Sequence, residues 1–123
     1  MQEMYLPEHG ELNKLYLTGI WNFSAEYATA MSENAAIFYP YAAKGVYLVA
    51  QAENETIVIV KRDGENLPAH DAGEDVEFEN GLAFVKVKEA RLYRIVKQDS
   101  PSAHLIELIS ATPGLQAYAF TFG

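Results

Sequence analysis

The sequence has no cysteine, no long apolar run and few cations, and each lack removes a class of function. Without Cys it can form no disulfide, thiolate metal site or catalytic thiol, so it does no thiol redox chemistry itself. Its longest apolar runs, 46–50 and 56–60, are strand-length, far short of the ~20 residues that span a bilayer. No membrane insertion is expected of this segment. Nine Lys and Arg against seventeen Asp and Glu give a net charge of -8, which repels phosphate backbones and anionic bilayers and argues against a nucleic-acid partner. Residues 1–10 show neither the basic start nor the apolar centre of a signal peptide, leaving a cytoplasmic chain or an excised piece of a longer exported protein. The 123 residues suit one domain able to bury roughly two thirds of the surface its unfolded chain exposes.

Strand signals fill most of what remains. Residues 115–123 alternate Tyr118, Phe120 and Phe122 against Ala117, Ala119 and Thr121, so one face is wide and aromatic and the other nearly flat. Such a strand is expected to pair inside a sheet. Segment 13–28 predicts one or two short strands, although propensity allows a short helix at 25–30. In 36–41, Pro40 donates no ladder bond and places that strand at an edge or a bulge. Segments 44–52 and 55–62 follow; in the second, Ile57 and Ile59 oppose Val58 and Val60, the pattern of a central strand covered on both sides. Asp63-Gly64 is a strong turn signal, and the loop 65–75 is the longest irregular stretch. Strands 91–98 and 103–109 flank a short polar turn, predicting a hairpin whose register sets Arg94 opposite Glu107. Eight to ten short strands with no long helical pattern predict an all-β, antiparallel sandwich in a single domain. Residues 1–11 read as a lead-in or linker remnant, and 12–123 as the sandwich module.

The residue chemistry is thin. His9, His70 and His104 show no ligand spacing, and nothing in the sequence couples one of them to a nucleophile, so the expectation is a non-catalytic protein with no cofactor. Asp71, Glu74, Asp75, Glu77 and Glu79 form an acidic stretch that a hard cation could use, but they miss the spacing of the helical calcium loop. No metal is expected. The fifteen aromatics are richer: sugars bind flat aromatic faces beside carboxylates and guanidinium groups, so Trp21, Tyr39, Tyr47 and Tyr93 with Glu26, Asp75 and Arg91 compose a candidate site. Core packing is the competing reading for each aromatic. Arg91, with its rigid fork, is expected to anchor Asp75 or Asp71 through two parallel bonds.

Leu17-Thr18-Gly19-Ile20-Trp21 with Glu26 and Ala28, Val46 with Leu48-Val49, Asp63-Gly64, His70 followed by Asp75-Val76, Arg91-Leu92-Tyr93, and the ending Pro113-Gly114 with Tyr118-Ala119-Phe120-Thr121-Phe122-Gly123 carry a resemblance. The chain resembles the C-terminal domain of DipZ-type thiol:disulfide interchange proteins, a module similar to carbohydrate-binding modules that follows a membrane electron-transfer region and a thioredoxin-like domain. Where that family reads Tyr-Arg-Phe-x-Ala-Arg-Asp-Val, residues 39–46 here place Pro40 at its first arginine and Gly45 at its aspartate.

The resemblance implies a jelly-roll sandwich, a periplasmic or extracytoplasmic location within a longer chain, and a thioredoxin-like domain as partner. It adds His70 to the candidate ligand-binding set of Trp21, Glu26, Tyr47, Asp75, Arg91 and Tyr93. The expected function is that of an accessory module binding a carbohydrate or glycan-like ligand. The alternative is a protein-interaction or structural domain packing on the thioredoxin-like neighbour through the flat face at Ala117, Ala119 and Thr121.

Overall fold

The computed structural model describes residues 2–4 and 15–123. In chain order the strands are β1 (Gln2–Met4), β2 (Tyr16–Phe23), β3 (Ala28–Ala30), β4 (Ala35–Ala42), β5 (Gly45–Gln51), β6 (Thr56–Arg62), β7 (Glu65–Asn66), β8 (Glu77–Glu79), β9 (Leu82–Val87), β10 (Arg91–Lys97), β11 (Ala103–Ser110) and β12 (Gln116–Phe122). One 3-10 turn, Ala69–Asp71, precedes β8. Every pairing between these strands is antiparallel. The chain is therefore an all-β sandwich, with no strand at the 25–30 helix signal except the short β3. Most of the expected lead-in at 1–11 lies outside the described residues; within it Gln2–Met4 pairs with β2.

The strands form two layers that share one member. The first layer runs β10-β5-β12-β3-β2, and the second runs β2-β4-β11-β6-β9-β8. Strand β2 changes layer at Gly19: Tyr16, Leu17 and Thr18 pair with β4, whereas Trp21 to Phe23 pair with β3. Gly19 has φ +87, and a Cβ there would lie 2.8 Å from the Ala35 Cα. Only glycine meets both demands cheaply.

Period-2 alternation puts one apolar face of each layer inside. From the first layer Trp21, Val46, Leu48, Ala50 and Tyr93 point inward, and from the second Ile37, Tyr41, Val58, Val60, Ile106 and Leu108. Tyr39 of β4 meets Phe120 and Phe122 of β12 at centroid separations of 5.6 and 4.7 Å, joining the two layers. The last strand lies between β5 and β3 as expected. A bulge between Ala117 and Ala119 alters its faces: Ala117 packs inward with Phe120 and Phe122, leaving Ala119 and Thr121 as the exposed small residues.

Three more expectations meet the structure. Pro40 does sit where β4 has lost a neighbour, since pairing with β2 stops at Phe38. Strand β6 is interior, between β11 and β9, but Ile57 and Ile59 are only half-buried while Val58 and Val60 are sealed. The hairpin of β10 with β11 is incorrect. The five residues between them carry the chain across the sandwich, so β10 pairs with β5 and β11 with β4 and β6. Glu107 accordingly faces Lys61 and Phe38, and Arg94 faces Tyr47.

Candidate functional site

On the outside of the first layer, β5 presents Tyr47 and Val49, β10 presents Leu92 and Arg94, and β12 presents Ala119 and Thr121. The registers place Arg94 and Thr121 on either side of Tyr47. The ring of Tyr47 lies over backbone. A Cβ on Gly45 would collide with its hydroxyl, and one on Gly123 would meet its ring edge at 3.3 Å. Two glycines thus form a floor for a half-buried aromatic plate. The related motif has aspartate where Gly45 stands, and that side chain would occupy the space this ring fills.

Beside the plate is a cleft of about 430 Å³ lined by Tyr47, Leu92, Arg94, Lys97, Gly73 and Glu74, with Val96 at its base. Residues 72–75 close one wall by docking on β10. The N–H groups of Gly73 and Asp75 donate to the carbonyls of Ile95 and Arg94, at 2.9 and 3.3 Å, and Ala72 bridges to Val96. Gly73 is required by proximity, because a Cβ would run into the Arg94 carbonyl.

Asp75 fixes this wall to the strand. Its Oδ1 accepts from Arg91 Nη2 at 2.9 Å and its Oδ2 from the Arg94 backbone N–H at 2.7 Å. Partial burial pushes the Asp75 carboxyl up, but the Arg91 bond and the Arg94 N–H outweigh it and hold it below the ordinary carboxylate value. The expected Arg91–Asp75 anchor therefore forms through one bond. The second arm of the Arg91 fork donates to the Leu92 carbonyl at 3.0 Å, and the guanidinium lies 3.9 Å from the Tyr93 ring centroid. Arg94 reaches out to Glu74 at 3.1 Å.

The remaining candidates scatter. Trp21 is fully buried and its Nε1 donates to the Thr18 carbonyl at 2.8 Å. Tyr93 is 1% exposed, with its hydroxyl donating to the Glu89 carbonyl and accepting from the Lys88 N–H. Neither offers a face to a ligand, so both belong to the core. Glu26 lies in the exposed turn between β2 and β3. His70, largely exposed, sits 3.3 Å from Asp71, which is bound to Arg62 at 2.8 Å. Of the sequence-derived set, Tyr47 lines the cleft, and Asp75 with Arg91 positions its wall. Leu92, Arg94, Lys97 and Glu74 were missed; the signal was the alternation of positions 92 and 94, which only the true partner strand turns into a face.

The acidic stretch does not converge. Asp71 goes to Arg62, Glu74 to Arg94, Asp75 to Arg91 and Glu77 to Lys86. No group of three metal-ligating side chains occurs among the described residues.

At the end of the sandwich His104 joins two residues that the sequence did not connect to it. Its Nδ1 is 2.6 Å from Asp63 Oδ2 and its Nε2 3.1 Å from Ser102 Oγ. That is the connectivity of a nucleophile, base and orienting acid. Asp63, however, occupies the tight turn after β6 and also accepts the Leu105 N–H at 2.8 Å, while Ser102 Oγ lies 3.2 Å from Gln98 Nε2. None of the three lines the clefts at Tyr47, Pro113 or Phe84. The chain of bonds clips the start of β11 to the Asp63-Gly64 turn.

An all-β sandwich with an aromatic plate and charged cleft on one sheet face is the class of protein these features define. Residues 1–123 match the family of thioredoxin-like C-terminal domains, and the chain belongs to that family. No curated protein sequence matches. Among solved structures the fold is similar to a family two carbohydrate esterase from Clostridium thermocellum in complex with cellohexaose, at 16% identity and a TM-score of 0.69 over 89% of this chain. It is also similar to a family two carbohydrate esterase from Cellvibrio japonicus, at 11% identity and a TM-score of 0.71 over 89% of this chain. The chain spans only 31% and 30% of those two proteins, and at such identities the likeness is one of fold. Among the described residues no helix is long and apolar enough to cross a membrane.

Proposed function

We infer that the chain is a non-catalytic accessory module that binds a glycan across the outer face of its first layer, with Tyr47 as the stacking plate. The observation that carries this reading is the ring of Tyr47 lying on Gly45 and Gly123 beside a cleft with a guanidinium and a carboxylate at its wall. A pyranose offers an apolar C–H face to such a ring and hydroxyls to the charged groups around it. Ala119 and Thr121, small and exposed, leave room for a chain of sugars to run over β12. Family membership supports a place beside a thioredoxin-like domain, which the module would hold near glycan-rich substrates.

Chemical-shift perturbation with oligosaccharides tests the reading. Shifts should centre on Gly45, Tyr47, Arg94 and Thr121, and Tyr47→Ala should abolish them while the melt stays cooperative. Shifts confined to other surfaces, or none with any oligosaccharide, would reject it.

The second reading has the same face contacting the thioredoxin-like neighbour. It draws on the apolar row of half-exposed Leu92, Val49 and Ala119. Hydrogen exchange of β12 should then slow only when the neighbouring domain is attached.

A further inference from the structure

The cleft beside Tyr47 gathers cations of this acidic chain without neutralising them all. Four of its nine basic residues, Lys44, Arg91, Arg94 and Lys97, fall at the β10 and β5 edge. Arg91 is bound to Asp75 and Arg94 to Glu74. Lys97 has no hydrogen bond or ion pair among the described residues. Its register partner is Gly45, the residue covered by the Tyr47 hydroxyl. An exposed ammonium therefore stands next to the aromatic plate, at the end opposite Arg94.

Resting on the glycan reading above, we propose that the cleft selects a carboxylate-bearing saccharide, with a sugar ring stacked on Tyr47 and its carboxylate held by Lys97. With eight net negative charges on the chain, long-range repulsion disfavours an anionic ligand. A local cation with no internal partner is the feature that reverses this at one point, and a charge-assisted bond to a carboxylate is stronger than one to a hydroxyl. The carboxylate can sit at C6 of a hexuronate or on a lactyl ether of an amino sugar; both present the same anion beside an apolar ring face.

Matched ligand pairs separate these possibilities. Cellohexaose is compared with the same hexasaccharide oxidised to carboxylate at C6, and a chitin oligosaccharide with a glycan of equal length that carries lactyl ethers, each titrated at about 20 mM and about 1 M salt. The expected result is binding of the carboxylated member of at least one pair tighter by about two- to fivefold at low salt, with the preference lost at high salt. Lys97→Gln should remove the preference and retain neutral binding, and Tyr47→Ala should remove both. The exposed Lys97 site lets the first variant fold, and amide shifts at Gly45 and Thr121 report the stacking independently. Equal affinity for neutral and acidic members would overturn the carboxylate assignment and leave the glycan reading standing. A preference that survives Lys97→Gln would overturn the role of Lys97. Binding of no saccharide at all would overturn both readings together.

Discussion

Gln98 should be worth far more to stability than one exposed amide, because its side chain ties three separate segments. It is 7% exposed. Its Oε1 accepts from the Tyr41 hydroxyl and from Arg62 Nη1, each at 3.1 Å. Its Nε2 donates among the carbonyls of Ala43, Ser100 and Ser102 at 2.9, 3.2 and 3.1 Å. Tyr41 is fully buried, and burial pushes its hydroxyl up to about 12 against the opposing pull of nearby Arg62. In Gln98→Ala the Tyr41 proton loses its acceptor, and Arg62, which only donates, cannot replace it. Stranding that hydroxyl costs about 1–3 kcal/mol, and each lost amide bond about 1 kcal/mol. The sum, about 3–5 kcal/mol, is a large share of a typical domain's stability. Tyr41→Phe removes the donor instead and should cost only about 0.5–1.5 kcal/mol. Urea unfolding of both single variants and the double variant measures these values. Because Tyr41→Phe deletes the group that Gln98→Ala strands, the double variant should lose about 1–2 kcal/mol less than the sum of the singles. Strict additivity, or a Gln98→Ala loss no larger than that of Tyr41→Phe, would refute the argument.

Arg91→Ala should cost about 1–1.5 kcal/mol, from an ion pair whose arginine is 43% exposed and from lost stacking on Tyr93; a loss of about 3–5 kcal/mol in the unfolding free energy from urea titration would mean the carboxylate it leaves behind is effectively buried. Asp63 and Asp75 both titrate below the ordinary carboxylate value, burial pushing each up while hydrogen bonds from Leu105 N–H and His104, and from Arg91 and Arg94 N–H, pull it down further. Their contribution is complete above the unfolded value of about 4 and is lost as pH falls through the lower folded values, so Asp63→Asn and Asp75→Asn should each flatten the acid limb of a stability profile. Glu107 runs the other way. Burial raises its pKa despite Lys61, so its favourable contribution exists at low pH and disappears as pH rises through the raised value. Glu107→Gln should therefore stabilise the protein at pH 7, and a loss there would show that the Lys61 attraction dominates.

The fold was legible where alternation alone decides structure. The patterns around Val46, Val58, Val85 and Phe120 identify strands because apolar and polar neighbours must separate to opposite faces. The Asp63-Gly64 turn was equally plain; Asp63 and Gly64 take φ 55 and 80, the two positive values of a tight hairpin. Partner choice was not legible. Strands β10 and β11 are apolar and joined by a short polar loop, which suits a hairpin as well as a crossing between layers, and only the pairing of β10 with β5 and of β11 with β4 and β6 shows which was taken. The bulges at Ile95 and Tyr118 likewise reverse side-chain facing without a mark in composition. These errors account for the missed half of the site: Arg94 and Leu92 become its wall only once β10 lies beside Tyr47. The Asp63–His104 contact joins residues 41 positions apart, beyond any local pattern.

The docking of residues 72–75 along β10 also bears on how the module behaves among other chains. A sheet that ends in unpaired backbone invites a foreign strand to add to it. Here the first layer ends on β10, whose outer groups are partly occupied by Gly73, Asp75 and Ala72. The second ends on β8, only three residues long and flanked by the exposed carboxylates of Glu77 and Glu79. These two borders are thus guarded by the chain's own residues. At these two edges crowded copies of the module are kept from knitting their sheets together.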